Sequence, residues 1–184
     1  MLFRSAKAKA FYAGHRHTML APPTLACAWI DAETVNSVVS SRGFAGDIDL
    51  LSLDLDGMDY GVWRAFDCVR PRVVVAEFNA LLGPERRLTM SYDPSFSVDL
   101  TKPGPHKIGA SLAALVAIAK TKGLRLVGVQ SMGFNAFFVQ DGLGEDLLPE
   151  RSPVDCYRET PRLAVWNAGW LDMMLTGSQQ WDEV

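Results

Sequence analysis

The sequence predicts an α/β fold, with a mostly parallel sheet flanked by helices and closed by an antiparallel hairpin. Polar and apolar residues alternate over Ile48–Leu55, as in a strand, and Tyr60–Val69 has the apolar face of a helix. Val73–Phe78 is a continuous β-branched run typical of a buried parallel strand. Two further runs, Leu124–Gln130 and Asn135–Gln140, are separated only by a short turn containing Gly, which predicts a hairpin. Strand–helix–strand order followed by a hairpin indicates one layered α/β sheet.

The elements before this unit are shorter. Ser5–Ala13 is rich in Ala and Lys, which favours a helix ending near Gly14. After two prolines, the apolar run Leu25–Ile30 predicts a buried strand. Acidic residues then open a helix over Ala32–Ser41.

The elements after the second parallel strand begin with a long connection. Asn79–Lys107 contains four prolines and exceeds most loops, so we expect a functional insertion or lid. Gly109–Lys122 predicts an amphipathic helix closed by Gly123. The tail is irregular until a final helix, Leu163–Leu175, whose Trp166, Trp170 and Met174 have the spacing of core-packing residues. We therefore expect one domain over residues 1–184: a helix and linker (1–24), a core (25–143) and a tail with a helix (144–184).

Composition excludes several function classes. A net charge of −3 argues against nucleic-acid binding, because phosphate recognition needs a basic surface. No apolar run approaches the about 20 residues that cross a bilayer, and the amino-terminal segment has no apolar stretch of a secretory signal. Cys27, Cys68 and Cys156 are widely spaced, which predicts reduced and mostly buried thiols in a cytoplasmic protein.

Polar side chains gather where the two parallel strands end. Asp54 lies at the end of the first strand, Asp56 and Asp59 follow in the turn, and Glu77 and Asn79 lie at the end of the next strand. Ligands of open α/β sheets bind at the carboxyl ends of the strands, so we expect these groups to converge. We predict a catalytic role for Asp54, Asp56 and Glu77, and metal ligands in Asp54, Glu77 and Asn79, since oxygen ligands suit a hard cation such as Mg²⁺. The alternative is that Asp56 or Asp59 only caps the following helix.

Other interpretations of this segment fit less well. Haloacid dehalogenase-type phosphatases have a similar DxDG turn, but Met58 stands where they usually have Thr or Val, and a later pair of acids is missing. A DxD pair alone is a weak signature of glycosyltransferases, and the spacing does not fit an EF-hand loop. Lys102 and His106, in the long connection, could face the acids, although isolated histidines are more often surface residues.

Several strings together resemble the FkbM-like branch of S-adenosylmethionine-dependent methyltransferases, which have a Rossmann-like fold. They are DIDLLSLDLDGMDYGVWRAF, RPRVVVAEFNA, SYDP, GASLAALVAIAKTKG and FNAFFV, in this order, within about Leu25–Leu143. The resemblance implies a final antiparallel strand inserted beside the fifth strand of that fold. It also implies S-adenosylmethionine as cofactor, adenine contacts at Asp31 and Glu33, and substrate or metal contacts at Asp54, Asp56 and Glu77.

The expected function is therefore methyl transfer to an O or N atom of a small-molecule acceptor, by an enzyme or by the C-terminal segment of one. The alternative is a non-catalytic interaction module that kept the fold and lost cofactor binding. The resemblance departs at the amino terminus, where Gly14 is the only glycine before Leu25, so no GxGxxG-like turn is possible. We accordingly expect an N-terminally truncated methyltransferase fold, with an apolar strand edge covered by a homo-oligomer or a partner chain.

Overall fold

The computed structural model describes residues 5–99, 101 and 106–184, which divide into two compact units, Met1–Ile30 and Asp31–Val184. None of the helices in these ranges is long and apolar enough to cross a membrane. The helices are α1 (Ser5–Gly14), α2 (Val35–Ser40), α3 (Asp59–Ala65), α4 (Leu112–Thr121), α5 (Pro153–Glu159) and α6 (Ala168–Leu175). The strands are β1 (Gly46–Leu53), β2 (Val69–Glu77), β3 (Leu88–Met90), β4 (Leu124–Val129), β5 (Asn135–Gln140) and β6 (Trp181–Glu183).

The first unit contains α1, as predicted, but no strand. The prediction of a buried strand at Leu25–Ile30 is wrong, because this segment has no strand conformation and groups with the helix that precedes it. A strand needs a neighbour that accepts and donates its backbone hydrogen bonds, and no described strand pairs with this run. Its side chains are mostly exposed, with Trp29 at 52%. Cys27 is exposed too, so burial of the thiols holds only for Cys156 and, in part, Cys68.

The second unit is built on a mixed sheet with strand order β1-β2-β5-β4. β1 and β2 are parallel, whereas β5 runs antiparallel to both β2 and β4. β1, β2 and β4 therefore point in one direction, and β5 is inserted between two of them in the other. The α/β class and the antiparallel hairpin of β4 and β5 are confirmed. Most strands of this sheet thus run in the same direction, as predicted. Of the hydrogen-bonded pairs, however, only β1–β2 is parallel.

The core lies on the face of the sheet covered by α3 and α4. Trp63 of α3 packs against Phe138 of β5 with ring centroids 5.3 Å apart, and both side chains are buried. α4 begins at Leu112, later than predicted, because the Ser111 hydroxyl accepts the Ala114 N–H and caps the helix. Ser111 also accepts the Leu88 N–H, which joins this cap to β3.

The long connection and the tail form a second, small sheet that the sequence pattern did not predict. β3 and β6 pair antiparallel, and Ser91 and Asp182 are joined by a side-chain hydrogen bond of 2.9 Å. α6 begins only at Ala168, because the Asn167 side chain accepts the Gly169 N–H there. Trp166 therefore lies before α6, although the prediction placed it inside the helix Leu163–Leu175. The segment predicted to be irregular contains α5, which Ser152 caps.

β1 forms an edge of the main sheet. Among the described strands it pairs only with β2, and Leu50 is 58% exposed. Arg70 of β2 donates to Asp47 of β1 at 2.8 Å, and Arg72 donates to Asp49 at 3.4 Å. Both charges of β1 are therefore paired within the chain. The edge expected from the sequence is therefore present.

Candidate functional site

The turn that follows β1 is organised by Asp59. This buried carboxylate accepts the Leu55 N–H at 2.9 Å and the Gly57 N–H at 3.1 Å. Asp56 has a φ of +50°, and Gly57 has a φ of +126° with Ile108 and Phe96 so close that a Cβ would lie 3.1 Å from either. Asp59 thus folds the turn, and Asp56 is held in the left-handed region within it.

Three acids converge at the carboxyl edge of the sheet. Leu53 and Ala76 are register partners in the parallel pair β1–β2, so the residues that follow them, Asp54 and Glu77, come side by side. One carboxylate oxygen each from Asp54, Asp56 and Glu77 lies within 4.8 Å of the others. The expected convergence of these three residues is confirmed, while their roles stay predictions.

Burial and mutual repulsion change the proton affinity of this cluster. Desolvation raises the pKa of Glu77 to about 7, helped by the negative charges of Asp59, Asp54 and Asp56. Burial likewise raises the pKa of Asp59, against the two backbone hydrogen bonds that it accepts. No Lys, Arg or His within the described ranges forms an ion pair with these four carboxyl groups. Their charge is therefore left for solvent or a ligand to compensate.

The geometry of the acids is compatible with a hard cation. Oxygen ligands on opposite sides of Mg²⁺ are about 4.2 Å apart and those of Ca²⁺ about 4.8 Å, so three oxygens that lie within 4.8 Å of one another are close enough to bind one such ion. Asn79 differs from them. Its Oδ1 accepts the Leu81 N–H at 3.0 Å, and its Nδ2 donates to the Ile108 carbonyl at 2.8 Å, so it clamps the connection that follows β2. A cation would have to share that oxygen with Leu81.

The cluster opens into a cavity of about 850 Å³. Asp56, Asp59 and Glu77 contribute its acidic side, and Asn79 and His106 also line it. The rest of the lining is mostly apolar and comes from the hairpin turn and the tail, with Met132, Phe134, Leu163, Val165, Trp166 and Trp170. Lys102, which the sequence placed near the acids, lies outside the described residues.

The aromatic side of the cavity is fixed by the tail. The Trp166 indole N–H donates to the Leu81 carbonyl at 3.1 Å, and its ring packs on Gly83 so closely that a Cβ there would lie 2.4 Å from a ring carbon. Trp170 is on α6, which is anchored by buried Met174. The helical spacing of these residues correctly marks Met174 as core, but it gave no sign that Trp166 and Trp170 line a cavity.

The two residues expected to contact adenine lie elsewhere. Asp31 and Glu33 are not among the cavity-lining residues. Asp31 accepts the Thr34 N–H at 2.7 Å, and hydrogen bonding from Thr34 lowers its pKa. Glu33 accepts the Tyr92 hydroxyl at 2.8 Å. Both acids therefore stabilise the start of α2, and cofactor binding by them stays a prediction.

The arrangement can accept a proton at Glu77, hold a cation among the three acids, or enclose a ligand with an apolar body. These capacities belong to one cavity at the carboxyl ends of β1 and β2, where ligands of α/β sheets are usually bound. Comparison with known protein families, with curated proteins and with solved structures found no match to this chain.

Proposed function

We propose that the chain is an S-adenosylmethionine-dependent methyltransferase, or the C-terminal segment of one, and that the cavity binds the methyl acceptor. The observation that carries this proposal is the meeting of Asp56 and Glu77 with a large, mostly apolar cavity at the carboxyl edge of the sheet. The insertion of antiparallel β5 beside β2 supports it, because this is the strand order that the FkbM-like resemblance implies.

In this proposal Glu77 is the general base. Its carboxylate lies in the cavity and takes the proton from the O or N atom of the acceptor as that atom becomes a nucleophile. A base with a pKa near neutrality accepts a proton in one cycle and releases it before the next. Asp54 and Asp56 would position the acceptor or hold Mg²⁺ against its oxygen.

The cofactor itself fits the described residues poorly. S-adenosylmethionine would supply an activated methyl group, but its amino-acid end needs backbone N–H groups such as those of a glycine-rich turn. Gly14 is the only glycine before Leu25 in the sequence, and Asp31 and Glu33 are bound to Thr34 and Tyr92. The proposal therefore assigns acceptor binding and proton removal to this chain and derives no cofactor contact from it.

A non-catalytic interaction module is the second candidate. The poor fit to the cofactor favours it, as does the exposed β1 edge, which suits a second copy or a partner chain that completes the sheet. We further propose a cytoplasmic location, because the three cysteines are unpaired thiols.

The two candidates are separated by a transfer assay. Purified protein is incubated with methyl-tritiated cofactor at millimolar concentration and with a set of small alcohols and amines. We expect labelled product from the wild type and a loss of about 10²-fold or more in Glu77→Gln, whose folding is verified by circular dichroism. Absence of both labelled product and cofactor binding, with the fold intact, would favour the interaction module.

A further inference from the structure

The acidic side of the cavity carries an excess of negative charge. Asp56, Asp59 and Glu77 line it, and Asp54 lies within 4.8 Å of two of them. Arg162 lines the same cavity, but it is exposed, so water screens its charge. Within the described ranges no cation pairs with these acids, which leaves a site that attracts a positive group.

An independent feature, the aromatic part of the cavity lining, indicates what that group is attached to. Trp166 is held in place by Leu81 and Gly83, and Trp170 lines the same cavity. The rim remains apolar yet open to solvent, with Met132 at 45%, Phe134 at 53% and Val165 at 62% exposure. Exposed apolar side chains that surround a cavity are typical of a ligand-binding mouth.

We propose that the cavity takes an amine carried on an apolar or aromatic body, with the ammonium group at Asp56 and Glu77 and the body along Trp166 and Trp170. The carboxylates attract the positive charge, and the two indole rings offer the surface against which an apolar or aromatic body packs. As a methyl acceptor this ligand rests on the proposed function, and it selects nitrogen rather than oxygen as the methylated atom. As a binding partner it can be tested without the cofactor.

An alcohol bound through a metal ion is the competing arrangement. It would place the cation, rather than the ligand, among Asp54, Asp56 and Glu77. An ammonium group needs no metal and satisfies the same carboxylates, whereas a neutral hydroxyl would leave them uncompensated. The two arrangements respond oppositely to magnesium, because the ion competes with an amine and assists an alcohol.

The test compares tryptamine with tryptophol, which share an indole body and differ in the terminal amine or hydroxyl. Binding to the full chain is measured by isothermal titration at neutral pH, where an aliphatic amine is protonated. We expect tryptamine to bind at least about ten-fold more tightly than tryptophol, and magnesium to weaken it. Equal affinities, or tryptophol binding that requires magnesium, would overturn the proposal.

Matched variants localise the effect. The double variant Asp56→Asn with Glu77→Gln should weaken tryptamine about ten-fold and leave tryptophol within about two-fold. The control changes the same charge outside the cavity, with Asp141→Asn and Asp146→Asn, and should leave both ligands unaffected. Trp170→Leu should weaken both, because it removes part of the wall that holds the indole.

These outcomes are distinguishable from failure of the proposed function. Selective amine binding without any methyl transfer would support the proposed ligand class and contradict the proposed enzyme activity. Methyl transfer to tryptophol but not to tryptamine would support the enzyme activity and contradict the ligand class. A double variant that binds tryptamine as tightly as the wild type would place the amine elsewhere and contradict the proposal directly.

Discussion

At the scale of single residues, two aspartates in the turn after β1 have different structural roles. Asp59 is buried and accepts the N–H groups of Leu55 and Gly57, so it builds the turn. Asp56 is only partly buried, lines the cavity and accepts no hydrogen bond from the described residues. The two are therefore expected to differ in what their loss costs.

We predict that Asp59→Asn lowers the free energy of unfolding by about 1–3 kcal/mol, because the amide nitrogen turns a donor toward a backbone N–H. Asp56→Asn should change it by less than about 0.5 kcal/mol, since asparagine tolerates the left-handed backbone of this position. Urea denaturation of both variants measures the difference. Equal losses would mean that Asp56 also holds the turn.

Glu77 predicts a pH dependence of stability. Its pKa rises from 4.5 in the unfolded chain to about 7 in the folded one, so the folded state binds more protons between these values. The contribution of Glu77 to stability should therefore be fully present below about pH 4.5 and be lost as the pH rises through about 7, by about 1–2 kcal/mol after solvent screening of this half-buried group.

The matched variant for this effect is Glu77→Gln, which cannot ionise. Relative to the wild type, the unfolding free energy of the variant should therefore increase as the pH rises from about 5 to about 8. Denaturation at the two pH values measures it. A difference that is constant with pH would show that Glu77 titrates normally in the folded protein.

At the scale of elements, the loop after β2 and the aromatic wall depend on each other through Gly83. Its φ is +76°, and a Cβ would lie 2.4 Å from the Trp166 ring. We predict that Gly83→Ala destabilises the protein by about 1–3 kcal/mol and displaces Trp166. Loss of near-ultraviolet circular dichroism, compared with Gly142→Ala, whose Cβ would meet nothing within 4 Å, measures the packing part of the effect. Equal effects of both substitutions would assign it to backbone strain alone.

The exposed edge predicts association. β1 offers unpaired backbone groups and exposed Leu50, so we expect concentration-dependent dimers that Leu50→Lys weakens. Asp49, which is paired with Arg72, adds little repulsion at this edge. Sedimentation velocity over a range of concentrations measures the change. A wild type that stays monomeric at high concentration would show that the edge is protected by other means.

The elements that the sequence predicted well are those with strong local patterns. The hairpin turn at Gly133 and the helix before Gly123 were predictable because turn chemistry and helical periodicity are local. The β3–β6 pair was missed because each strand has three residues and its partner lies far along the chain. Leu25–Ile30 has the composition of a strand, but none of the described strands pairs with it, and composition alone does not supply a neighbouring strand.

The candidate site was predictable in the same uneven way. The acids follow directly from the strand ends, since parallel neighbours finish at one edge. The aromatic part of the cavity could not be predicted from the sequence, because a tryptophan that lines a cavity and one that fills a core have the same helical spacing. Trp166 is aimed by an indole hydrogen bond to Leu81, a contact across the fold that no local pattern encodes.

At the scale of the whole molecule, the proposal assigns acceptor binding but no cofactor contact to this chain, which predicts weak cofactor binding. Gly14 is the only glycine before Leu25, so that segment offers the cofactor no glycine-rich turn, and missing several hydrogen bonds at about 1 kcal/mol each weakens affinity by about 10²-fold or more. We therefore expect S-adenosylmethionine to bind the isolated chain far more weakly than the micromolar range. Isothermal titration measures this, and a micromolar dissociation constant for the monomer would show that the amino-terminal segment provides the missing contacts.

The order of the cavity's parts along the chain has a consequence for its biosynthesis. The acidic side is complete once Glu77 has left the ribosome, whereas Trp166, Trp170 and the β6 strand that pairs with β3 are made much later. Domains generally fold as units. Because β2 also pairs with β5, we expect the carboxylates to be held together only after β5 has been made, and the aromatic side to be added after the tail residues that follow it.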